Sequence, residues 1–260
     1  VLRAFETEGV PDDESGTDPL QQAETLLLEL TLADAEVFAR RSERAAKEAT
    51  GDAAMKRYAA AIAKASELLA DGIPLRSADW TGEERVAFRD LAPLTLKPAV
   101  WVINTEEDDA GSAASATEAV ADLVPEGDTV IAVSARLEEE AAELDPDDRA
   151  ELYEGLGLGE GALHTMVDAV YGALGLISFY TLGPKEAHAW TVRRGSRARE
   201  AAGKIHSDLE RGFIRAEVAT LDEVIEAGGW DPLKAAGGIR VEGKDYVVAE
   251  RDVIVVRFSV

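Results

Sequence analysis

Two long helical patterns joined by a short break constrain the fold of this 260-residue chain more than any other feature. Apolar side chains recur at helical spacing from Leu20 to Glu48 and again from Ala53 to Ala70. Between them, Thr50, Gly51 and Asp52 supply a helix stop and a helix cap. Because so short a turn sends the second helix back along the first, the sequence predicts an antiparallel coiled-coil hairpin.

The apolar pattern changes near Leu94 from helical spacing to unbroken runs. The run from Ala99 to Ile103 is too apolar for an edge strand and ends at Asn104, which is typical of a buried parallel strand. Residues Thr129 to Val133 predict a second buried strand, and the acidic run Glu138 to Glu140 predicts a solvated helix start. Further helices are predicted at Ser115 to Leu123, Pro146 to Tyr153 and Ala162 to Leu174. The centre of the chain is therefore expected to be α/β.

From Ile177 onward, short β-branched and aromatic runs alternate with helical stretches. Strands are predicted at Ser178 to Thr181, Ala187 to Val192, Ile214 to Val218, Tyr246 to Ala249 and Val253 to Phe258. Helices are predicted at Arg199 to His206 and Leu221 to Ala227. These runs indicate a small α+β unit, about the minimum size for an independent domain.

The composition excludes several classes of protein. The absence of cysteine excludes a disulfide framework, a thiolate metal site and a cysteine nucleophile. A formal charge of -24 repels phosphate at long range, so binding of DNA or of nucleic acid by the whole surface is not expected. No apolar run approaches the roughly 20 residues that a membrane-spanning helix needs, and Val1 to Ala4 carry no secretory leader. We expect a cytoplasmic, monomeric protein without membrane contact.

Several segments together resemble one family. The stretch KEAHAWTVRRGSRAREAAGKIHSDLERGFIRAEV, from Lys185 to Val218, is similar to the TGS domain that closes YchF-type Obg-like ATPases, and EGKDYVV and DVIVVRF fit its ending. Upstream, DPLQQAETLLLELTLADAEV resembles the start of the family's coiled coil, and LTLKPAVWVIN resembles the return into its G domain. Together these segments cover nearly the whole chain.

The resemblance implies an α/β fold with an incomplete P-loop G domain. Its parallel sheet would carry an inserted antiparallel coiled-coil helical hairpin, followed by a C-terminal α+β TGS domain of the β-grasp, ubiquitin-like type. The implied boundaries are residues 1–19 for a G-domain remnant, 20–93 for the helical domain, 94–176 for the C-terminal half of the G domain and 177–260 for the TGS domain.

The first apolar strand ends in Asn104-Thr105-Glu106-Glu107, where G domains carry Asn-Lys-x-Asp. Taken alone, this ending favours a plain strand-capping turn over a binding loop. It matches the Asn-x-x-Glu variant of the YchF family, which implies a preference for ATP over GTP. In that scheme Asn104 and Glu107 shape the adenine pocket and Thr105 offers a backbone contact, because adenine presents an amino donor where guanine presents an acceptor.

The second strand ends in Val133-Ser134-Ala135, which resembles the Ser-Ala loop that closes the other side of the base. By itself this dipeptide carries no information. In the expected order after the expected strands, Ser134 and Ala135 become candidates for closing the pocket.

A phosphate-binding loop of the form G-x-x-x-x-G-K-[ST] is absent from these residues. The segment Gly238 to Lys244 has the glycine spacing, but Asp245 replaces the hydroxyl and a strand follows instead of a helix, so it predicts a β-turn. The resemblance places the phosphate loop and the Mg²⁺ ligands before Val1. ATP and Mg²⁺ are therefore the implied cofactors of the intact protein, and this chain alone is not expected to hydrolyse ATP.

Basic residues gather in one stretch of the small C-terminal unit, in contrast to the acidic chain. The candidates for contact with the ribosome or its RNA are Arg193, Arg194, Arg197, Arg199, Lys204, Arg211 and Arg215. A solvated face paired with Glu200, Asp208 and Glu210 is an equally good interpretation. His164, His188 and His206 are too scattered to predict a metal site.

Two functions remain open at this point. One is the C-terminal part of a ribosome-associated P-loop ATPase, in which nucleotide state adjusts how the hairpin and the TGS domain meet their partner. The other is an adaptor that binds RNA or the ribosome through these parts without nucleotide.

Basic residues near the tip of the hairpin offer a second contact surface, or stabilise the helix ends: Arg40, Arg41, Arg44, Lys47, Lys56 and Arg57.

Overall fold

The computed structural model describes residues 1–5, 16–50, 52–106, 110–183 and 186–259, without the side chains of residues 110–112. The chain divides into two compact units, Val1–Ala173 and Leu174–Val260. The first contains a parallel sheet and most of the helices, and the second contains a mixed sheet.

The sheet of the first unit has three parallel strands among the described residues: β1 (Leu2–Ala4), β2 (Val100–Thr105) and β3 (Thr129–Val133), in the order β1-β2-β3. The prediction of a buried strand is confirmed for β2, where Trp101 and Ile103 lie in the core. The predicted strand β3 has the predicted bounds, but it lies at the edge of the described sheet and its residues are only half-buried. An isolated apolar run does not tell a central strand from an edge strand.

Two long helices follow one another and pack together as a helical hairpin: α1 (Pro19–Glu48) and α2 (Ala53–Ala70). Each begins at an aspartate whose carboxylate accepts a hydrogen bond from the first turn, Asp18 from Leu20 N and Asp52 from Ala54 N. Because Phe38 and Ile62 are fully buried between them, the two helices hold together through one apolar seam.

A short connection after the hairpin completes its core. It contains a 3₁₀ turn (Leu75–Ser77) and α3 (Gly82–Phe88), which begins with a capping box between Thr81 and Glu84. The Phe88 ring makes edge-to-face contacts with Phe38 at 5.5 Å and with Trp80 at 4.7 Å between ring centroids. The connection therefore packs on the hairpin and does not extend as a free linker.

The remaining helices of this unit follow the strands. They are α4 (Ala110–Leu123), α5 (Ala135–Ala142), α6 (Pro146–Leu156) and α7 (Ala162–Leu174). The prediction for α7 is correct at both ends, whereas α4 begins five residues before its predicted start at Ser115. Among the described helices, none has the length and apolar character needed to cross a membrane.

The second unit folds around a sheet of five strands within the described residues, in the order β5-β4-β8-β6-β7. The strands are β4 (Leu176–Leu182), β5 (Ala187–Arg193), β6 (Phe213–Thr220), β7 (Arg240–Glu242) and β8 (Asp252–Phe258). Helices α8 (Ala198–Ile205), α9 (Ser207–Arg211), α10 (Leu221–Glu226) and α11 (Trp230–Ala235) lie between them.

Apolar cores lie on both faces of this sheet. Ala198 and Ala201 of α8 pack with Phe179 and Val218 on one face, while α10 and α11 pack on Val253 and its neighbours on the other. The predicted strand at Tyr246–Ala249 is wrong, because Val247 forms only an isolated bridge to Arg197. The glycine-spaced segment Gly238 to Lys244, predicted as a β-turn, contains the strand β7, and a turn follows only at residues 244–245.

Candidate functional site

The ends of β2 and β3 bring the two candidate base loops together. Asn104 pairs with Val133 in the parallel register, so both strands end at the same edge of the sheet. The side-chain oxygen Oδ1 of Asn104 accepts a hydrogen bond from the backbone N–H of Ala135 at 3.0 Å. One carboxamide therefore fixes the start of α5, which follows β3, to the end of β2.

Ser134 and Thr105 have local hydrogen bonds of their own. Ser134 caps α5, because its hydroxyl oxygen accepts a hydrogen bond from Leu137 N at 3.2 Å. The Thr105 hydroxyl donates to the carbonyl of Val133 at 3.4 Å, which is long for such a bond. Of the sequence-predicted base contacts, the structure places Asn104, Thr105, Ser134 and Ala135 at one edge. The remaining candidate, Glu107, lies outside the described residues.

A cavity of about 610 Å³ opens beside these loops. Thr105 and Ser134 line it together with small and apolar residues of the surrounding helices, among them Ala113, Thr117, Leu137 and Leu156. Its volume is in the range of small-molecule sites, which are mostly apolar with a few polar groups. Asn104 and Ala135 do not line it, so their bond acts behind the cavity wall.

Glu138 connects the three helices that follow β3. Its carboxylate accepts hydrogen bonds from the Tyr153 hydroxyl at 2.9 Å and from Ala162 N at 2.7 Å. Burial raises the pKa of the Tyr153 hydroxyl, and the carboxylate of Glu138 raises it further. The prediction of a plain solvated helix start is therefore wrong for Glu138, because this residue holds α5, α6 and the start of α7 together.

A buried carboxylate holds the opposite ends of β2 and β3. Asp128 Oδ2 accepts hydrogen bonds from Arg76 Nη2 at 2.7 Å and from Trp101 Nε1 at 2.9 Å, and Oδ1 accepts one from Ala99 N. The Arg76 and Asp128 side chains are 9% and 1% exposed, so the ion pair is shielded from water. Sequence reasoning missed this pair, since Arg76 is 52 residues away from its partner.

The hairpin is tied to the same region by a second buried carboxylate. Asp34 of α1 accepts hydrogen bonds from Leu94 N, Thr95 N and the Thr95 hydroxyl, at 2.9, 2.7 and 2.7 Å. The carbonyl of Thr95 in turn accepts a bond from Arg76 Nη1 at 3.1 Å. A continuous polar network therefore runs from the hairpin to the strands that carry the base loops.

The seven basic candidates of the second unit do not form one patch. Arg193 pairs with Leu176 at one end of the sheet, whereas Arg215 pairs with Arg257 at the other end. The register of β4 and β8, in which Tyr180 pairs with Val253, separates the two arginines by about 26 Å along the strands.

Three of the candidates have partners within this unit. Arg197 pairs with Asp245, Arg211 pairs with Asp208, and Arg199 donates to a backbone carbonyl. Only one of the acids expected as partners, Asp208, takes part in an ion pair with a candidate among the described residues. The interpretation of a solvated, internally paired face therefore holds for these three of the seven basic candidates.

Glu217 is a buried carboxylate that sequence reasoning did not identify. It accepts hydrogen bonds from Arg257 at 3.1 and 2.9 Å and from Lys234 Nζ at 2.9 Å. The bonds from Arg257 and then from Lys234 lower the pKa of Glu217 to about 2. Among the residues that the structure describes, no group of three or more acidic or histidine side chains could hold a metal ion.

Comparisons with known proteins all indicate the same family. Residues 176–259 match the YchF-GTPase_C family, described as a protein of unknown function (DUF933). The chain is 38% identical over 267 residues to the ribosome-binding ATPase YchF of Bacillus subtilis (strain 168), with 100% of this chain and 72% of that protein covered. It is 34% identical over 265 residues to Obg-like ATPase 1 of Oryza sativa subsp. indica, with 100% of this chain and 67% of that protein covered.

The fold matches a solved structure as well. The structure of the Schizosaccharomyces pombe YchF GTPase superposes with a TM-score of 0.83 at 28% identity, over 98% of this chain and 70% of that one. The fold therefore defines an α/β protein with a parallel sheet and a second, mixed sheet. The chain belongs to the family of YchF and Obg-like ATPases.

Proposed function

We propose that this chain is the base-recognising and partner-binding part of a ribosome-associated P-loop ATPase. The observation that carries the proposal is the hydrogen bond from Ala135 N to Asn104 Oδ1, which joins the end of β2 to the start of α5, the two segments that would enclose a base. Ligands of open parallel sheets bind outside the carboxyl ends of the strands, and this supports a nucleotide site at this edge.

The loops favour ATP over GTP in this proposal. Asn104 and Glu107 shape the pocket, and Thr105 offers a backbone contact to the adenine amino group. Ser134 and Ala135 close the other side. Mg²⁺ and the phosphates would be held by residues outside these 260, because the sequence contains no phosphate-binding loop.

The proposed partner is the ribosome, as the names of the bacterial relatives state for those proteins. A ribosomal partner also places the working protein in the cytoplasm. Contact would be made through the second unit and the hairpin. The second unit is favoured by its charge: residues 174–260 carry 13 Lys and Arg and 13 Asp and Glu, out of 27 and 51 in the chain, so the whole formal charge of -24 lies in residues 1–173.

Calorimetric titration tests the nucleotide site. The 260-residue chain and the same chain with its reading frame extended upstream are titrated with Mg²⁺ and a non-hydrolysable ATP analogue, then with the GTP analogue. We expect binding by the extended form only, with ATP preferred, and loss of that preference in Glu107→Asp. Equal binding of both nucleotides by the extended form would contradict the proposed base selectivity.

A nucleotide-independent adaptor is the second candidate function. It is favoured by the lack of a phosphate-binding loop in these residues, because phosphoryl transfer depends on groups placed around phosphate and metal. Binding of neither analogue by the extended form, together with sedimentation of the chain with ribosomes, would establish the adaptor.

A further inference from the structure

The first turn of α5 carries a carboxylate at the wall of the cavity. Ser134 caps this helix, Ala135 begins it, and Glu138 follows one turn later. Ser134 and Glu138 both line the cavity. Because α5 has only 8 residues, it is too short to be stable by itself. Contacts with neighbouring helices therefore decide where its first turn lies.

Helix α6 holds α5 at both ends through two residues that lie on one face. Arg149 and Tyr153 are four residues apart, which makes them neighbours on the surface of α6. The Tyr153 hydroxyl donates to Glu138 Oε2 at 2.9 Å, near the start of α5. Arg149 Nε donates to the carbonyl of Ala141 at 2.9 Å, and Arg149 Nη2 donates to the carbonyl of Leu144 at 3.1 Å. Both ends of α5 are thus bound to the same helix.

The other carboxylate oxygen of Glu138 binds the start of α7. Glu138 Oε1 accepts a hydrogen bond at 2.7 Å from the backbone N–H of Ala162, the first residue of α7. The preceding residue, Gly161, is packed so tightly that an added Cβ atom would lie 2.7 Å from the Tyr153 ring. Each oxygen of Glu138 therefore has one donor, and both donors belong to a closely packed segment.

The turn that Glu138 anchors also meets the proposed base site. Ala135 N donates to Asn104 Oδ1, and Leu137 N donates to the hydroxyl oxygen of Ser134. Without the bonds of Glu138, the Asn104 carboxamide would be the one side chain with a hydrogen bond from this turn to the end of β2 among the described residues. The position of Ser134 and Ala135 would then depend on a single hydrogen bond.

We propose that Glu138 is a positioning residue of the nucleotide-base site, which fixes the first turn of α5 so that Ser134 and Ala135 enclose the base. The proposal rests on the proposed function and adds a residue that lies outside the two segments beside the base. Glu138 acts through Ser134 and Ala135 and makes no contact with the nucleotide itself.

Steady-state ATP hydrolysis by the upstream-extended form tests this role. Glu138→Ala is expected to raise KM for ATP about tenfold, a factor near the upper range for one hydrogen bond, and to leave kcat unchanged. The reason is that contacts to the base are the same in the ground state and the transition state. Glu139→Ala, which removes the same charge from the exposed neighbour on α5, should change neither value. A lower kcat with unchanged KM in Glu138→Ala is the result of less folded protein and would overturn the proposal.

A conservative variant separates position from charge. Glu138→Gln keeps an acceptor oxygen for Ala162 N, and its amide N–H can donate to the Tyr153 hydroxyl, which accepts as well as donates. This variant should therefore keep the KM of the unaltered protein. Tyr153→Phe removes one of the two bonds and should raise KM less than Glu138→Ala does. A KM in Glu138→Gln as high as in Glu138→Ala would mean that the negative charge acts, against a positioning role.

Amide hydrogen exchange distinguishes failure of this proposal from failure of the proposed function. It is measured by NMR on the 260-residue chain without nucleotide. Glu138→Ala should lower the protection of the Ala135 and Leu137 amides at least about fivefold, and Glu139→Ala should leave it unchanged. Unchanged protection in Glu138→Ala would overturn the positioning role even if the extended form hydrolyses ATP. Lower protection, together with an extended form that neither binds nor hydrolyses ATP, would contradict the proposed function and confirm that Glu138 anchors Ser134 and Ala135.

Discussion

The Asn104 carboxamide accepts a hydrogen bond from the backbone N–H of Ala135, across 31 residues of sequence and 3.0 Å of space. Asn104 is the last but one residue of β2, and Ala135 is the first residue of α5, which follows β3. Removing the acceptor frees the start of α5 from the end of β2, while the strands themselves keep their register. In the proposed function, base recognition would therefore depend on a residue that lies behind the cavity wall.

Replacement of Asn104 with Ala is expected to lower the free energy of unfolding of the first unit by about 1 kcal/mol, the usual value of one such hydrogen bond. The loss of binding free energy for the ATP analogue, measured on the upstream-extended form, should exceed this loss of stability. The reason is that the two segments beside the proposed base site lose their relative position. Urea denaturation and calorimetry measure the two effects. Asn104→Asp keeps the acceptor oxygen and should be as stable as the unaltered chain. A loss of stability in this variant would mean that the amide nitrogen of Asn104, and not its oxygen, makes the stabilising contact.

Local patterns predicted the elements of this fold well. The first and last residues of α2, β3 and α7 were predicted correctly, because helical spacing and apolar runs are properties of neighbouring residues. Long-range partners were not predictable. The Arg76–Asp128 pair and the acceptor role of Glu138 depend on residues brought together only by folding, and no spacing in the sequence indicates them. The predicted Tyr246–Ala249 strand failed for the same reason, since strand formation needs a partner.

Asp128→Asn should strongly destabilise the first unit. The carboxylate accepts from Arg76, Trp101 and Ala99, and an amide nitrogen in place of one oxygen would face these donors. Leaving Arg76 buried without its partner is expected to cost about 3–5 kcal/mol. Urea unfolding followed by tryptophan fluorescence measures the loss. Asp122→Asn, an exposed change on α4, is the control, and a similar loss there would mean that burial of the pair is not the cause.

Gly161→Ala should destabilise the helices beside the cavity. A Cβ atom at Gly161 would lie 2.7 Å from the ring of Tyr153, and its φ of 89° disfavours any side chain. The ring has little freedom to move, because its hydroxyl is bound to Glu138. We expect a loss of roughly 2–3 kcal/mol in thermal denaturation, from crowding and backbone strain together. Gly159→Ala also has positive φ but meets no atom within 4 Å, so a loss as large as at Gly161 would exclude crowding by Tyr153.

Glu217 gives the second unit a pH dependence of known sign. Its folded pKa of about 2 lies below the ordinary value of 4.5, so its contribution is complete above 4.5 and is lost as pH falls towards 2. Glu217→Gln should cost roughly 1–3 kcal/mol at neutral pH, since Arg257 and Lys234 are partly exposed. The difference between variant and unaltered chain should shrink as the pH of denaturation is lowered through this window. The exposed Glu226→Gln should show no such difference, and a constant gap at all pH values would show that the charge of Glu217 is not responsible.

The separation of charge between the two units predicts different responses to salt. Self-repulsion in residues 1–173, which carry the entire formal charge of -24, lowers the stability of that unit, and salt screens it over about 10 Å at 0.1 M. Raising NaCl should therefore increase the unfolding temperature of the first unit by a few degrees and leave the electroneutral second unit almost unchanged. Differential scanning calorimetry resolves the two, with sucrose as the control for solute exclusion without screening. Equal shifts of both units in NaCl would mean that general solute exclusion, and not the acidic surface of residues 1–173, limits their stability.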